Sequence, residues 1–160
     1  MFSRGSPLDE TAHGMERRMV LRLLAHWREL CDGRTFPSFE ELDPAVISDI
    51  WDNAFVLDLA GHLDDPVFRV VGDSFAAHTG SPLRDVRVSE VPVNSLAERS
   101  ASYYREVIEK AVPISRGGEF RKEDGTTVLY RGVILPMSDD GETITGLLGA
   151  ANCRELAEFG

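Results

Sequence analysis

Apolar residues follow two different rhythms along this chain, and the change between them separates an arm from a body. Met15, Met19, Val20, Leu23, Leu24, Trp27, Leu30 and Cys31 recur at helical spacing, with Arg17, Arg18, Arg22, His26 and Glu29 on the polar side. Ser6-Pro7-Leu8-Asp9-Glu10 carries the cap, proline and acids of a helix start, and Asp32-Gly33 supplies a stop. The pattern predicts a helix over 15–31. Asp43-Pro44 opens a second, short helix that reaches Ile50 or Trp51. From residue 54 strand formers take over. AFVLDLA (54–60) and VFRVVG (67–72) read as an antiparallel hairpin across the turn GHLDDP.

Helices then return. Asp73 is expected to cap a two-turn helix that Gly80 ends, and 81–93 to be irregular. Asn94 is expected to cap a longer helix bearing Leu96, Tyr103, Tyr104, Val107, Ile108 and Ala111, which Pro113 stops. The last third alternates as strand: Glu119 to Lys122 into the turn Asp124-Gly125, then Thr126 to Pro136, the turn Ser138-Asp139-Asp140-Gly141, and Thr143 to Ala151. Neighbouring strands joined by short turns pair antiparallel, and helices must cover the apolar side of the sheet they form. The expected architecture is α+β: a five-stranded antiparallel sheet with helices on one face, plus an N-terminal amphipathic helix. Residues 1–33 form the arm, 34–152 the domain and 153–160 a tail.

Charge narrows the range of partners. The 160 residues carry a net charge of −10, with 1–35 at +1 and the remainder at −11. An acidic body argues against nucleic acid or an anionic membrane surface as partner. No apolar run approaches the roughly 18 residues of a membrane span, and MFSRGSPLDETAHG lacks the apolar core of a signal peptide. The expectation is a cytoplasmic protein in which Cys31 and Cys153 are reduced thiols.

Two strands, a helical excursion and three strands is an order that resembles PAS domains. The wording of LLAHWRELCDGRTFPSFEELDP (23–44), AFVLDL (54–59), FRVVGDSFAAHTG (68–80) and RGVILPMSDDGETITGLLGAA (131–151) is similar to an alphaproteobacterial single-domain PAS subfamily, formerly a domain of unknown function. Gly72-Asp73 stands where many members carry Gly-Thr. The resemblance implies a sensory or regulatory role, controlled by a ligand or a partner and commonly exercised as a dimer. It implies no particular ligand, because the fold hosts haem, flavin, small acids or nothing.

Several short strings suggest chemistry that their surroundings do not support. Gly72-Asp73-Ser74-Phe75 is placed like an esterase nucleophile, yet no histidine follows His78 to act as base. Gly117-Gly118-Glu119-Phe120 is one residue short of a diguanylate cyclase loop and reads as a turn. Asn152-Cys153-Arg154 echoes a flavin-attacking cysteine motif but is expected after the last strand, outside any pocket. His13, His26, His62 and His78 are scattered, and His78 alone falls where a haem ligand of a PAS domain would lie. Asp64-Asp65 and Asp139-Asp140 are turn aspartates. The expectation is therefore a non-catalytic protein, with no cofactor assigned.

What remains is an interior and a helix face. Trp51, Phe55, Phe68, Phe75, His78, Tyr103, Tyr104 and Arg131 are expected around the space between sheet and helices. They either fill it as core or line a cavity for a small, partly aromatic or acyl ligand. Val20, Leu23, Leu24, Trp27 and Leu30 form a short coiled-coil-like stripe, expected to bring two copies together. The expected output is contact with a protein partner that presents a basic surface.

Overall fold

The computed structural model describes residues 7–59, 61 and 64–156, with backbone alone for 7–16 and 44. Five strands form one antiparallel sheet: β1 (Ala54–Asp58), β2 (Val67–Val71), β3 (Ile114–Arg121), β4 (Thr127–Met137) and β5 (Gly146–Glu155), in the order β2-β1-β5-β4-β3. The tight turns at Gly125 and Gly141 both carry positive φ, which glycine adopts without strain. Three short helices, α3 (Asp73–Thr79), α4 (Leu96–Ala101) and α5 (Tyr104–Lys110), cross one face of the sheet as the excursion between β2 and β3.

The N-terminal helix α1 (Pro7–Cys31) covers the opposite face. Strand alternation makes two cores possible. In β4, Ile134 turns toward the excursion, while Val133, Leu135 and Met137 turn toward α1. Met19, Val20, Leu23, Trp27 and Cys31 of α1 pack on the latter set together with Leu148 and Ala150 of β5. The two cysteines thus lie on opposite faces, Cys31 under α1 and Cys153 toward the excursion.

Local chemistry explains where elements depart from expectation. The helix expected from Asn94 is two helices. Ser95 caps α4 by accepting from the Glu98 amide, and a break at Ser102-Tyr103 starts α5 afresh. Asp73 occupies the first helical position of α3, and the cap is Gly72. The helix expected to run to Ile50 or Trp51 is a single turn, α2 (Pro44–Ile47), followed by a 3-10 turn at Trp51–Asn53. β5 continues past Ala151 to Glu155 because β4 is long enough to pair with it, Val128 opposite Glu155. Asn152 and Cys153 are therefore strand residues. The irregular 81–93 stretch covers the outer edge of β2, where Phe68 donates to the Val86 carbonyl at 2.9 Å and accepts from the Asp85 amide at 2.7 Å. Among the described residues, no helix is long and apolar enough to cross a membrane.

Candidate functional site

The interior between excursion and sheet changes character from one end to the other. At the β1–β2 end, Phe55, Phe68 and Phe75 are wholly buried. Phe55 stacks on Phe75 with centroids 4.8 Å apart and tilts against Phe68 at 5.5 Å. The fit is close: a Cβ at Gly149 would come within 2.1 Å of the Phe55 ring. The chain's own rings fill this end.

Polar atoms enter at the β3–β4 end. The Tyr103 hydroxyl is buried with no hydrogen-bond partner, and so is Ser100 Oγ three residues earlier. Burial, with Tyr130 nearby, raises the Tyr103 phenol far above its ordinary range, against a smaller opposing pull from Arg116. The group remains a neutral donor and acceptor. The Arg116 guanidinium sits 5.7 Å from the centroid of the Tyr103 ring. A buried hydroxyl left unpaired costs about 1–3 kcal/mol. Phe120 and Tyr130 pair at 6.0 Å on the same side of the sheet. Phe120 also walls a surface cleft of about 460 Å³ that Val128, Cys153, Thr79, Lys122 and His78 help to line.

Five of the eight residues expected around the interior come together there. Phe55, Phe68, Phe75, Tyr103 and Tyr104 share one core cluster. Tyr104 is held at its rim, where its hydroxyl donates to the Asp64 carbonyl at 2.6 Å beside Arg105, which donates to the same oxygen at 2.9 Å. The other three lie elsewhere. His78 is exposed at the end of α3 and reaches only the cleft. Arg131 lies on the α1 side of β4, because Tyr130 beside it faces the excursion. Trp51 lines a separate apolar groove with Phe39, Leu42, Ile47 and Ser48. Cys153, expected outside any pocket, faces the excursion from within β5 and lines the cleft.

The stripe expected at a dimer contact is the inner face of α1. Val20, Leu23 and Trp27 are buried on the chain's own sheet, Leu24 and Leu30 are half-buried, and Leu21 points outward. This face is thoroughly tied. Trp27 Nε1 donates to the Pro136 carbonyl at 2.9 Å, and the Ser138 amide donates to the Pro37 carbonyl at 2.9 Å. His26 Nε2 accepts from the Asp43 amide at 3.2 Å. Arg34 closes the end of α1 by donating to the Leu30 and Cys31 carbonyls. It also pairs with Glu41, whose carboxyl this contact and the Ser38 amide hold down at about 2.

Sequence reasoning passed over Ser100, Phe120, Tyr130, Phe39 and Leu42. Ser100 left a legible trace, a lone hydroxyl on the apolar face formed by Leu96, Ala97 and Ala101. The alternation of β4 also places Tyr130 two positions from Gly132 and four from Ile134, on the excursion side.

No curated protein matches this chain significantly. Solved structures with similar folds include the light-state structure of the Aureochrome1 LOV photoreceptor domain, 22% identical over 74% of this chain and 91% of that one, with a TM-score of 0.47. The LOV domain of a blue-light activated histidine kinase from Erythrobacter litoralis is 14% identical over 64% of this chain and 95% of that one, at 0.45. VqmA bound to DPO is 16% identical over 64% of this chain and 51% of that one, at 0.47. The decisive comparison is with protein families: a model of the PAS domain matches residues 15–152, taking in both faces of the sheet, and the chain belongs to the PAS domain family.

Proposed function

We propose that this chain is a non-catalytic sensory or regulatory domain that acts through protein contacts and is switched by a small ligand at the β3–β4 end of its interior. PAS domains are in general non-catalytic sensory modules, and that much comes with the family. The observation that carries the ligand is two buried, unpartnered hydroxyls three residues apart, Ser100 Oγ and Tyr103 Oη, the latter near Tyr130 of the Phe120–Tyr130 ring pair. A ligand with a hydrogen-bonding end and an aromatic or acyl body satisfies the hydroxyls and packs on the rings. A ligand that binds one packing of α4 and α5 better than another shifts that equilibrium by its difference in affinity. The cytoplasm is the compartment this reading implies.

A homodimer through α1 belongs to the same reading. Since Val20, Leu23 and Trp27 pack inward, Leu21 with the half-buried Leu24 and Leu30 is what α1 offers a second copy. Removing residues 1–33 would strip α1 from the core it buries on the sheet, so Leu21→Glu with light scattering is the appropriate check, and an unchanged mass removes α1 from the interface.

The ring cluster of Phe55, Phe68 and Phe75 favours a second reading, a ligand-free adaptor with a filled interior. Native mass spectrometry of the purified chain and a thermal-shift screen of metabolites separate the two. A co-purified mass, or a stabilising compound whose effect disappears in Tyr103→Phe, supports the sensor. No retained mass and no stabilisation by any compound leaves the adaptor.

A further inference from the structure

The 38–53 segment contains five acids, Glu40, Glu41, Asp43, Asp49 and Asp52, and no lysine, arginine or histidine. Two of the five are neutralised from within the chain. Arg34 pairs with Glu41, and Arg22 Nη1 lies 2.5 Å from Asp49. Among the described residues no base pairs with Glu40, Asp43 or Asp52, although the Asp43 side chain caps α2 by accepting from the Ala45 amide. The same segment forms an apolar groove of about 470 Å³ from Phe39, Leu42, Ile47, Ser48 and Trp51, with Glu40 following Phe39, Asp43 following Leu42 and Asp52 following Trp51 along the chain. Trp51 is 37% exposed and the neighbouring Val46 41%. Exposed tryptophan in a hollow is the residue type that most often anchors protein contacts.

The segment is also tied in place. Arg34, Arg22 and His26 fasten it to the α1 side, and Glu41 accepts from the Ser38 amide at 2.8 Å to close its first turn. A groove held in shape before its partner arrives loses little freedom on binding. We infer that it is a docking site for a basic amphipathic segment of a partner protein, which inserts an apolar side chain beside Trp51 and sets Lys or Arg against Glu40 and Asp52. The inference rests on the reading that this domain acts through protein contacts and gives that contact its place and chemistry. It does not depend on the interior ligand.

The test uses the full chain and two synthetic helical peptides, one built of Leu and Lys and the other of Leu and Glu, with affinity read by titration calorimetry. The Leu/Lys peptide binds and the Leu/Glu peptide does not. Trp51→Ala weakens Leu/Lys binding by about tenfold or more. Glu40→Lys with Asp52→Lys alters only exposed side chains and reverses the preference, so that the Leu/Glu peptide becomes the tighter ligand. Leu/Lys affinity that neither variant changes shows diffuse attraction to an acidic protein and overturns the inference. So does equal binding of both peptides by the unsubstituted chain, or a Trp51-dependent dimer that neither peptide dissociates, which would assign the groove to a second copy. None of these results touches the thermal-shift screen, so the interior sensor stands or falls separately.

Discussion

The two faces of the sheet are both covered by helices, yet the helices that cover them differ in what their buried polar groups meet. Under α1, the buried indole of Trp27 and the imidazole of His26 each meet a backbone partner. Under the excursion, the Tyr103 and Ser100 hydroxyls meet none. Nearly all buried polar groups in folded proteins are satisfied, and neither face meets that rule throughout, since Arg131 Nε on the α1 side of β4 is also buried without a hydrogen-bond partner; the difference lies between the ties that fasten α1 itself and the unpaired hydroxyls of the excursion helices.

The sharpest way to break this comparison is Trp27→Ala. It removes a large buried side chain and leaves the Pro136 carbonyl without its donor. A loss of about 3–5 kcal/mol in urea denaturation is expected. Trp51→Ala, at a partly exposed ring, should lose much less in the same experiment. Equal losses would mean that α1 is not the firm scaffold described. Next in size is Gly149→Ala, which drives a methyl group into the Phe55 ring at the β1–β2 end. Overpacking of this kind costs about 1–3 kcal/mol. A neutral result would show slack among the three rings, and hence room there for a ligand.

A change of opposite sign is expected at the polar end. Tyr103→Phe keeps the ring and removes an unpartnered hydroxyl. The ligand-free chain should gain about 1 kcal/mol in denaturation midpoint measurements, because a desolvation penalty disappears with the oxygen. A loss instead would show that ordered water already satisfies the hydroxyl, and the contrast between the two faces would weaken.

The excursion face was more legible in the sequence than the α1 face. Alternation in AFVLDLA and VFRVVG put Phe55 and Phe68 inside, and helical spacing brought Phe75, Tyr103 and Tyr104 over them. Arg131 falls on the α1 side because period-two alternation fixes a face only relative to a neighbour, and its neighbour Tyr130 packs toward the excursion. The α1 stripe was visible as a stripe, but periodicity does not distinguish a helix packed on its own sheet from one packed on another copy. The docked segment after α1 was least legible. Its ties run between side chain and backbone across long separations, such as His26 to the Asp43 amide, 17 residues apart, and Arg22 to the Val46 carbonyl, 24 residues apart. Local propensity carries no information about such bonds.

The smallest expected effect lies at the first turn of that segment and is read through pH. Glu41 is half-buried, and the Arg34 guanidinium and the Ser38 amide hold its carboxyl at about 2, below its ordinary range. A carboxyl with a lowered folded-state value contributes stability above its unfolded value and loses it as pH falls through the folded one. The contribution is thus intact at neutral pH and fades from the ordinary glutamate range down to about 2. Asp140, in the turn between β4 and β5, is held at about 2 by the Thr143 and Glu142 amides and fades over a similar acid window. Urea midpoints measured from pH 7 downward should therefore fall less steeply in Glu41→Gln than in the unsubstituted chain, and less steeply again when Asp140→Asn is added. The two groups sit on separate anchors, one closing the docked segment and the other closing a hairpin, so their effects should add. If Glu41→Gln leaves the acid limb unchanged, the Arg34 contact is a surface pairing of no consequence, and the segment is held by His26, Arg22 and its apolar residues alone.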